Sequence, residues 1–320
     1  MNADRLDKLY KAFRRDPPED VQKQHVDEMR SRAREFLRQK IESGNLRRER
    51  SAAFDNALAE FLNRSGVSKH LSPRKLDPEA ARRRLSELPV PDPPRLHSHI
   101  IRHGSVWLVE IPPYNGWATP PPAGSSSNDA QGSASVDLKK GTASLSVYAG
   151  EGVSGYGGQT NSGPGACGAF ADLGNYFSPP SGVCDTVQEA QLTIQTIPVV
   201  NWTAEWHSAM GAPATLEFGL HLVVNQYNPT SAPLSTAYQY CIDGTYKYFD
   251  NWSGPLGQFN QAYSLSGSVA VSSANNYAVW VEIYAFAQAQ GSGSWGSDSY
   301  ADLQASVTVP SIDLSLSYNQ

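Results

Sequence analysis

The sequence predicts a mainly β protein, an antiparallel β-sandwich of jelly-roll type preceded by a small α-helical region. The apolar residues recur every three or four positions up to about residue 90 and every second position from about residue 106. All seven Trp and 14 of the 15 Tyr lie beyond residue 105, among many Gly, Ser, Thr and Val, a composition typical of strands and turns. The formal charge divides at the same place, with +6 on residues 1–110 and −11 on residues 111–320. We therefore predict two regions, a helical one over 1–94 that ends in a Pro-rich linker and a β-sandwich over 95–320.

Four short helices are predicted in the first region. The first begins at Asp4 and ends before Pro17. The third begins at Ser51 and the fourth at Asp77, which is followed by a proline. The second ends at Gly44, and its apolar face consists of Val26, Met29, Ala33, Phe36, Leu37 and Ile41. Because isolated short helices are marginally stable, we expect them to pack on one another, on the β domain or on a second copy of the chain.

Two long antiparallel units stand out in the second region. The dipeptide Asp243-Gly244 lies between alternating runs at 238–242 and 245–249 and predicts a tight hairpin. A second unit runs over 265–271, turns, and returns over 277–290. On the returning strand an aliphatic face should meet the core, and the aromatic face should be covered or bind something. Further strands are predicted at 105–111, 133–138, 142–149, 187–197, 200–207, 214–225 and 300–309.

Loops are predicted at 120–131 and 151–182, where Gly, Pro and Ser are frequent. The second is long for a compact domain, so it is expected either to be functional or interface-forming or to be a plain surface excursion. Cys167 lies within this second loop, and Cys184 lies just after it. With three cysteines and no CxxC motif, reduced thiols are favoured over a bridge between these two.

Several classes of function receive no support from the sequence. The acidic β region repels phosphate backbones, so nucleic acid is an unfavoured partner. No secretory signal and no run of about 18 apolar residues occurs, so the expected location is cytoplasmic by default, with non-classical export left open. The common motifs of phosphate-binding loops, hydrolases and metalloproteases are absent, and no cofactor is expected.

Carboxylates beside imidazoles are the candidates for catalysis. Glu282 lies among aromatic residues that would raise its pKa, and a glycosidase would pair it with a second carboxylate such as Glu217 or Glu205. Glu217 with His221, and Glu205 with His207, would share strand faces. The same pairs are also ordinary polar neighbours, so no catalytic residue is assigned.

Two sets of residues are candidates for metal ligation, although metal binding is not the favoured interpretation of either set. His97, His99 and His103 would lie on one side of an extended segment, although they also fit a polar lead-in to the first strand. Asp298 and Asp302 follow a Gly/Ser loop and would suit Ca²⁺, although a loop-end cap explains them equally.

Aromatic residues supply the remaining indication of function, because aromatic planes suit the apolar faces of sugar rings. The predicted ligand-binding residues are Trp252, Trp295, Trp280, Tyr284, Tyr246 and Tyr248. We therefore expect a non-enzymatic binding or adhesion module that recognises a glycan or surface through aromatic loops, with the helical region used for oligomerisation or attachment. The alternatives are a self-assembling structural component, such as part of a particle, fibre or injection machine, and a glycan-active hydrolase or lyase.

Overall fold

A computed structural model describes residues 16–65, 101–102, 105–119, 130–151, 165–179, 190–208, 214–228, 235–246, 252–272, 274–289 and 299–317. Its described helix, α1, spans Glu19–Ser65. The first eight strands are β1 Ile101–Arg102, β2 Ser105–Glu110, β3 Asn115–Thr119, β4 Ala130–Asp137, β5 Thr142–Glu151, β6 Gly165–Phe177, β7 Ala190–Thr196 and β8 Val199–Ser208. The others are β9 Ala214–Asn228, β10 Ser235–Tyr246, β11 Trp252–Ala262, β12 Leu265–Val271, β13 Asn276–Ala289, β14 Ser299–Thr308 and β15 Ile312–Ser317.

The strands form three five-stranded sheets. Sheet I has the order β1-β2-β15-β7-β12, sheet II the order β10-β9-β13-β6-β3, and sheet III the order β11-β8-β14-β5-β4. Every pairing among the described strands is antiparallel. The predicted class, a mainly β antiparallel fold with an N-terminal helical region, is confirmed.

Sheet II is covered on both faces. Its inner face joins sheets I and III in one apolar core, to which β13 contributes Val281, Ile283 and Ala285, each 0 % exposed. Its outer face packs against α1 in a second cluster rich in aromatic residues, where Trp280 is 1 % and Phe286 2 % exposed. The expectation that the aliphatic face of this strand meets the core is confirmed. Of the two alternatives for its aromatic face, covered or ligand-binding, the structure shows that α1 covers it.

The helical region departs from the prediction. The helices predicted to end at Gly44 and to begin at Ser51 are one continuous element, because α1 runs from Glu19 to Ser65. A glycine inside a helix costs only about 1 kcal/mol relative to alanine, whereas ending the helix would leave four carbonyl groups without helical partners. The helices predicted to begin at Asp4 and Asp77 lie outside the described residues.

The predicted Asp243-Gly244 hairpin is wrong. Asp243 pairs with Glu217 and Gly244 with Leu216, so β10 continues past the dipeptide along β9, with one register shift after Tyr240. Pairing along a partner strand of 15 residues outweighs the local turn preference, since strand formation depends strongly on tertiary context.

The unit predicted from 265–271 and 277–290 consists of two strands that do not pair with each other. β12 pairs with β7 in sheet I, and β13 pairs with β6 and β9 in sheet II. The turn between them therefore carries the chain from one sheet to another.

The predicted loop over 151–182 is wrong over the 13 residues of β6. Its Gly and Ala residues serve close packing rather than a turn. A Cβ on Gly174 would lie 1.9 Å from the carbonyl oxygen of Val279, so only glycine fits against the neighbouring strand there.

Cys167, on the inner face of β6, is a buried free thiol. Its Sγ lies 3.1 Å from the carbonyl oxygens of both Gln131 and Tyr148, and burial raises its pKa to about 12. The expectation of a reduced thiol is confirmed for Cys167, and Cys184 lies outside the described residues. In the part of the chain that the structure describes, no helix is both long and apolar enough to cross a membrane.

Candidate ligand cavity between the helix and sheet II

The helix lies on the outer face of sheet II through side chains spaced four residues apart. These contact residues are His25, Met29, Ala33 and Leu37, each 5 % exposed or less. Leu37 lies directly over Gly168 of β6, where an added Cβ would lie 2.2 Å from Cδ2 of Leu37. The missing side chain of Gly168 therefore makes the space that Leu37 occupies.

Polar contacts fix the helix near both ends of this contact region. Asn115 of β3 donates a hydrogen bond from Nδ2 to Oδ1 of Asp16, at 3.1 Å. Lys40 forms an ion pair with Glu217 of β9, with 2.7 Å between Nζ and Oε2. The helix is thus held across the sheet from β3 to β9.

His25 closes the N-terminal side of the interface. Its ring lies 5.8 Å from the rings of both Tyr176 and Trp280, and its Nδ1 is 3.4 Å from the Tyr176 hydroxyl. Burial, together with the positive charge of Arg32, lowers the pKa of His25 to about 4. The imidazole is therefore neutral at pH 7.

A row of polar side chains crosses the outer face beneath the helix. Glu282 on β13 is the register partner of His221 on β9 and of Asp172 on β6, which in turn pairs with Trp117 on β3. His221 Nδ1 and Glu282 Oε1 are 3.1 Å apart, a hydrogen-bond distance. Three adjacent strands thus bring two carboxyl groups and an imidazole together.

Asp172 is the most deeply buried member of this row, at 0 % exposure. Burial, and then the neighbouring charge of Glu282, raise the pKa of Asp172 well above its usual value, and the Trp117 indole acts in the opposite direction. Neither carboxyl oxygen of Asp172 has a hydrogen-bond partner with normal geometry among the described residues. This environment favours a neutral carboxyl group at Asp172.

Between the helix and the sheet lies a cavity of about 300 Å³. The helix forms one wall of it, and β6, β9 and β13 form the floor. Its lining residues are Met29, Arg32, Ala33, Phe36, Lys40, Phe170, His221, Val223, Asn225, Glu282 and Tyr284.

Asn225 gives this cavity an unused hydrogen-bonding group. The residue is 2 % exposed, and neither Nδ2 nor Oδ1 has a hydrogen-bond partner among the described residues. A buried polar group in this state costs about 1–3 kcal/mol. Its amide offers donors and an acceptor to any molecule that fills the cavity.

Three aromatic rings form the apolar part of the lining. Phe170 and Tyr284 are stacked, with ring centroids 6.1 Å apart and an interplanar angle of 27°. Phe36, which is 37 % exposed, meets both of them edge to face at 5.9 and 5.8 Å. The cavity therefore combines an aromatic wall with a carboxylate, an imidazole and an amide.

The predicted catalytic candidates are only partly brought together. Glu282 and His221 are in contact, whereas Glu217 lies four residues from His221 on β9, about 13 Å along the strand, and is paired with Lys40. Glu205 lies on β8 in sheet III, where its register partner is Asp302. Glu217 and Glu205 are thus not placed to be the second carboxylate of a pair with Glu282. The side chain of His207 lies outside the described part of the structure.

The predicted ligand-binding residues divide into three groups. Tyr284 lines the cavity, whereas Trp280 is sealed beneath the helix at 1 % exposure. The side chains outside the described part of the structure are those of Trp252, Trp295, Tyr246 and Tyr248.

The metal candidates receive no support within the described residues, where no group of three or more metal-ligating side chains occurs. Asp302 lies on β14 and is 2 % exposed. The candidates that lie outside the described residues are His97, His99, His103 and Asp298.

Sequence reasoning missed two important members of the site, Asp172 and Asn225. Asp172 falls in the segment predicted to be a loop, and its proximity to Glu282 follows from strand register, which the sequence pattern does not reveal. Asn225 was included in a predicted strand, but its partner strands were unknown. Comparison of the chain with protein-family models, with the sequences of characterised proteins and with solved structures gives no match.

Proposed function

We propose that this protein is a non-enzymatic binding module and that its ligand is a saccharide ring held in the cavity between α1 and sheet II. The observation that carries the proposal is the buried amide of Asn225, which lines the cavity and has no hydrogen-bond partner among the described residues. A buried amide left unpaired destabilises the fold. A ligand that pairs with the amide recovers this cost.

The rest of the lining suits a ring that is apolar on its faces and polar at its edge. The stacked pair of Phe170 and Tyr284 provides an aromatic surface for ring C–H groups. Glu282 and Asn225 provide acceptors and donors for hydroxyl groups. A volume of about 300 Å³ lies at the lower end of the range for small-molecule pockets, so the cavity suits one or two rings.

Binding is favoured over hydrolysis by the position of the carboxyl groups. Glycoside hydrolysis generally needs two carboxyl groups that flank the bond being cleaved. Glu282 is the only carboxylate among the described lining residues, because its register partner Asp172 on β6 is fully buried and does not line the cavity. A ligand can therefore touch Glu282 without touching Asp172.

A hydrolase is the second candidate, because Glu282 has an imidazole partner at 3.1 Å and a buried acid as its register neighbour. The substitution Glu282→Gln separates the two functions. A binding module keeps most of its affinity and shows no turnover in either form, whereas a hydrolase loses turnover of the bound saccharide and keeps binding it.

The role of the helical region in self-association stays a prediction. The first half of α1 packs on sheet II of its own chain, which accounts for the apolar face of Met29, Ala33 and Leu37. Solution mass tests the remaining expectation. An oligomer that survives disruption of this face would favour association through another part of the chain.

The binding proposal is tested by replacing Asn225 with leucine, which has a similar volume and no hydrogen-bonding group. Saccharides that bind the wild-type chain on a glycan array are titrated by calorimetry against both proteins. The loss of two buried hydrogen bonds predicts affinity weaker by roughly 10- to 100-fold. Thr193→Val, on the exposed face of β7 in sheet I, is the matched control and should bind as the wild type does.

The stability of the unliganded protein makes this test specific. If Asn225 serves a ligand, Asn225→Leu removes an unpaired buried amide and should leave the free energy of unfolding unchanged or raise it. A marked loss of stability would instead assign Asn225 a structural role. An array without a single bound saccharide would overturn the proposed function.

A further inference from the structure

We infer that the saccharide is an unbranched chain of at least two β-1,4-linked pyranose rings, which lies lengthwise between α1 and sheet II. This inference rests on the proposed function and names the class of saccharide. The observation that carries it is the shape of the cavity, because its lining residues are spread along the helix and along the strands. The cavity is therefore a groove and not a round pocket.

The strand register gives the length of the groove on the sheet side. At one end lies Asn225 of β9, which is the register partner of Ala278 on β13. At the other end lies Tyr284, six residues further along β13 and next to its register partner Phe170 on β6. At about 3.3 Å per residue, these two rows of the sheet are about 20 Å apart.

The helix gives a second measure of the same length. Its lining residues lie within residues 29–40, a stretch about 16 Å long at about 1.5 Å per residue. The helix also follows the strand beneath it, because the ring of His25 lies 5.8 Å from that of Trp280 and the ring of Phe36 lies 5.8 Å from that of Tyr284. Both walls of the groove are thus elongated in the direction of β13.

The two kinds of ligand contact lie at opposite ends of this groove. The Asn225 amide offers hydrogen bonds at one end, and the Phe170 and Tyr284 rings offer an aromatic surface at the other. One pyranose ring spans about three to four C–C bond lengths, or about 5 Å, so it cannot reach both ends. Linked rings can place one ring on the aromatic surface while the hydroxyls of another pair with Asn225.

The straight course of the groove selects the linkage. Pyranose rings joined by β-1,4 bonds form an extended ribbon with hydroxyls along its edges, whereas α-1,4 bonds give a curved chain. An extended chain enters the groove without changing shape, which keeps the ordering cost of binding low. Glu282 lines the groove between the two ends, where its carboxylate can accept a hydrogen bond from a hydroxyl on the edge of the ribbon.

The experiment measures how affinity depends on chain length and linkage, by calorimetry on the full chain. The probes are the mono-, di- and trisaccharides of the β-1,4-linked glucose, mannose and xylose series, together with α-1,4-linked maltose and maltotriose. In at least one series the wild-type protein should bind the disaccharide at least tenfold more tightly than the monosaccharide. Maltose should bind at least tenfold more weakly than that disaccharide.

Two variants address the two ends of the groove separately. Phe36→Leu keeps an apolar side chain but removes the ring that meets the aromatic end, and it should weaken the disaccharide by roughly three- to tenfold. Asn225→Leu removes the hydrogen bonds of the other end and should also weaken it. One of the two variants should leave the monosaccharide unaffected, because a single ring occupies one end. Arg34→Leu, at an exposed helix position outside the groove lining, is the matched control and should bind every probe as the wild type does.

Each alternative result decides between the inference and the proposed function. Equal affinity for the mono- and disaccharide of every series, or binding of maltose as tight as that of the β-linked disaccharides, would overturn the inference. Loss of monosaccharide binding in both Phe36→Leu and Asn225→Leu would also overturn it, since one ring would then reach both ends. If none of these probes binds but another saccharide does so and is weakened by Asn225→Leu, the proposed function stands and the inference fails. If no saccharide on the glycan array binds, both fail.

Discussion

Leu37 is predicted to control whether α1 stays on sheet II. Its side chain is 2 % exposed and fills the space above Gly168, where an added Cβ would lie 2.2 Å from Leu37 Cδ2. Truncation to alanine would leave that space empty and remove the last buried contact of the row formed by His25, Met29, Ala33 and Leu37.

The magnitude follows from the atoms that are removed. Leu37→Ala deletes three carbons, and burial contributes about 0.8 kcal/mol for each, or about 2.4 kcal/mol in all. The cavity left behind raises the cost into the range of about 2–5 kcal/mol found for buried Leu→Ala substitutions. The loss falls on the contact between helix and sheet, because Leu37 belongs to the outer aromatic cluster and not to the inner core.

We therefore expect α1 to detach locally before the sheets unfold. Hydrogen exchange read out by mass spectrometry should show faster exchange in residues 19–43, with little change in β7 and β15 of sheet I. Trp280 lies under the helix at 1 % exposure, so its environment should become more polar and the tryptophan emission should shift to the red. Arg34→Ala, at an exposed position of the same helix, should change neither measurement.

Two results would refute this reasoning. A destabilisation below about 1 kcal/mol would mean that Leu37 is not a principal contact of the helix. Equal acceleration of exchange in α1 and in sheet I would mean that the helix and the inner core unfold as one unit.

Three further predictions concern the same interface. Gly168→Ala should weaken docking of the helix by about 1–3 kcal/mol, because the new methyl group meets Leu37. In chemical denaturation, the double variant with Leu37→Ala should lose less free energy of unfolding than the sum of the losses in the two single variants. His25 has a folded pKa of about 4 against an ordinary 6.5. Between these two pH values the unfolded state therefore binds more protons than the folded state. The free energy of unfolding should fall by up to about 3 kcal/mol as the pH drops from 6.5 to 4. In urea titrations across this pH range, His25→Phe should show a smaller fall. Asp172 has the opposite effect on the pH dependence of stability. Its pKa is raised in the folded state, so stability is lost as the pH rises through that raised pKa. Asp172→Asn should therefore stabilise the protein more at pH 8 than at pH 5, and an equal effect at both would show that its charge is not the cause.

The fold class and the two faces of β13 were predictable because burial imposes a period on the sequence. Val279, Val281 and Ile283 of β13 recur every second position and lie in the core, and its aromatic residues Trp280, Tyr284 and Phe286 lie on the opposite face. Within α1 the predicted face included Met29, Ala33 and Leu37, which are all buried. Phe36 was assigned to the same face but lies at the cavity and is 37 % exposed.

Turns and register were less predictable, for different physical reasons. A turn dipeptide such as Asp243-Gly244 only lowers the cost of a reversal, and an available partner strand can outweigh it. Gly168 and Gly174 in β6 look like loop residues, yet they are required where another side chain or backbone approaches closely. Their meaning depends on Leu37 and Val279, which are distant in the sequence.

The candidate site was predictable only as isolated residues. Glu282 and His221 were each singled out from their strand patterns, but their contact depends on β9 and β13 being neighbours in one register. Asp172 enters the same row because β6 pairs with β13 on the other side. A sequence pattern indicates which face a residue occupies, not which strand lies next to it.

The composition of the helix–sheet interface is itself an argument for function. An interface that served only to attach a helix would be filled with apolar side chains, because an unpaired polar group and an empty volume each lower stability. Here the interface contains a buried acid at Asp172, a cavity of about 300 Å³ and, at Asn225, an amide that has no hydrogen-bond partner among the residues described by the structure. At the same time, close aromatic packing surrounds these groups, and the Lys40–Glu217 ion pair holds the helix on the sheet. A ligand that pairs with these groups would offset both costs, and this offset is the basis of the proposed function.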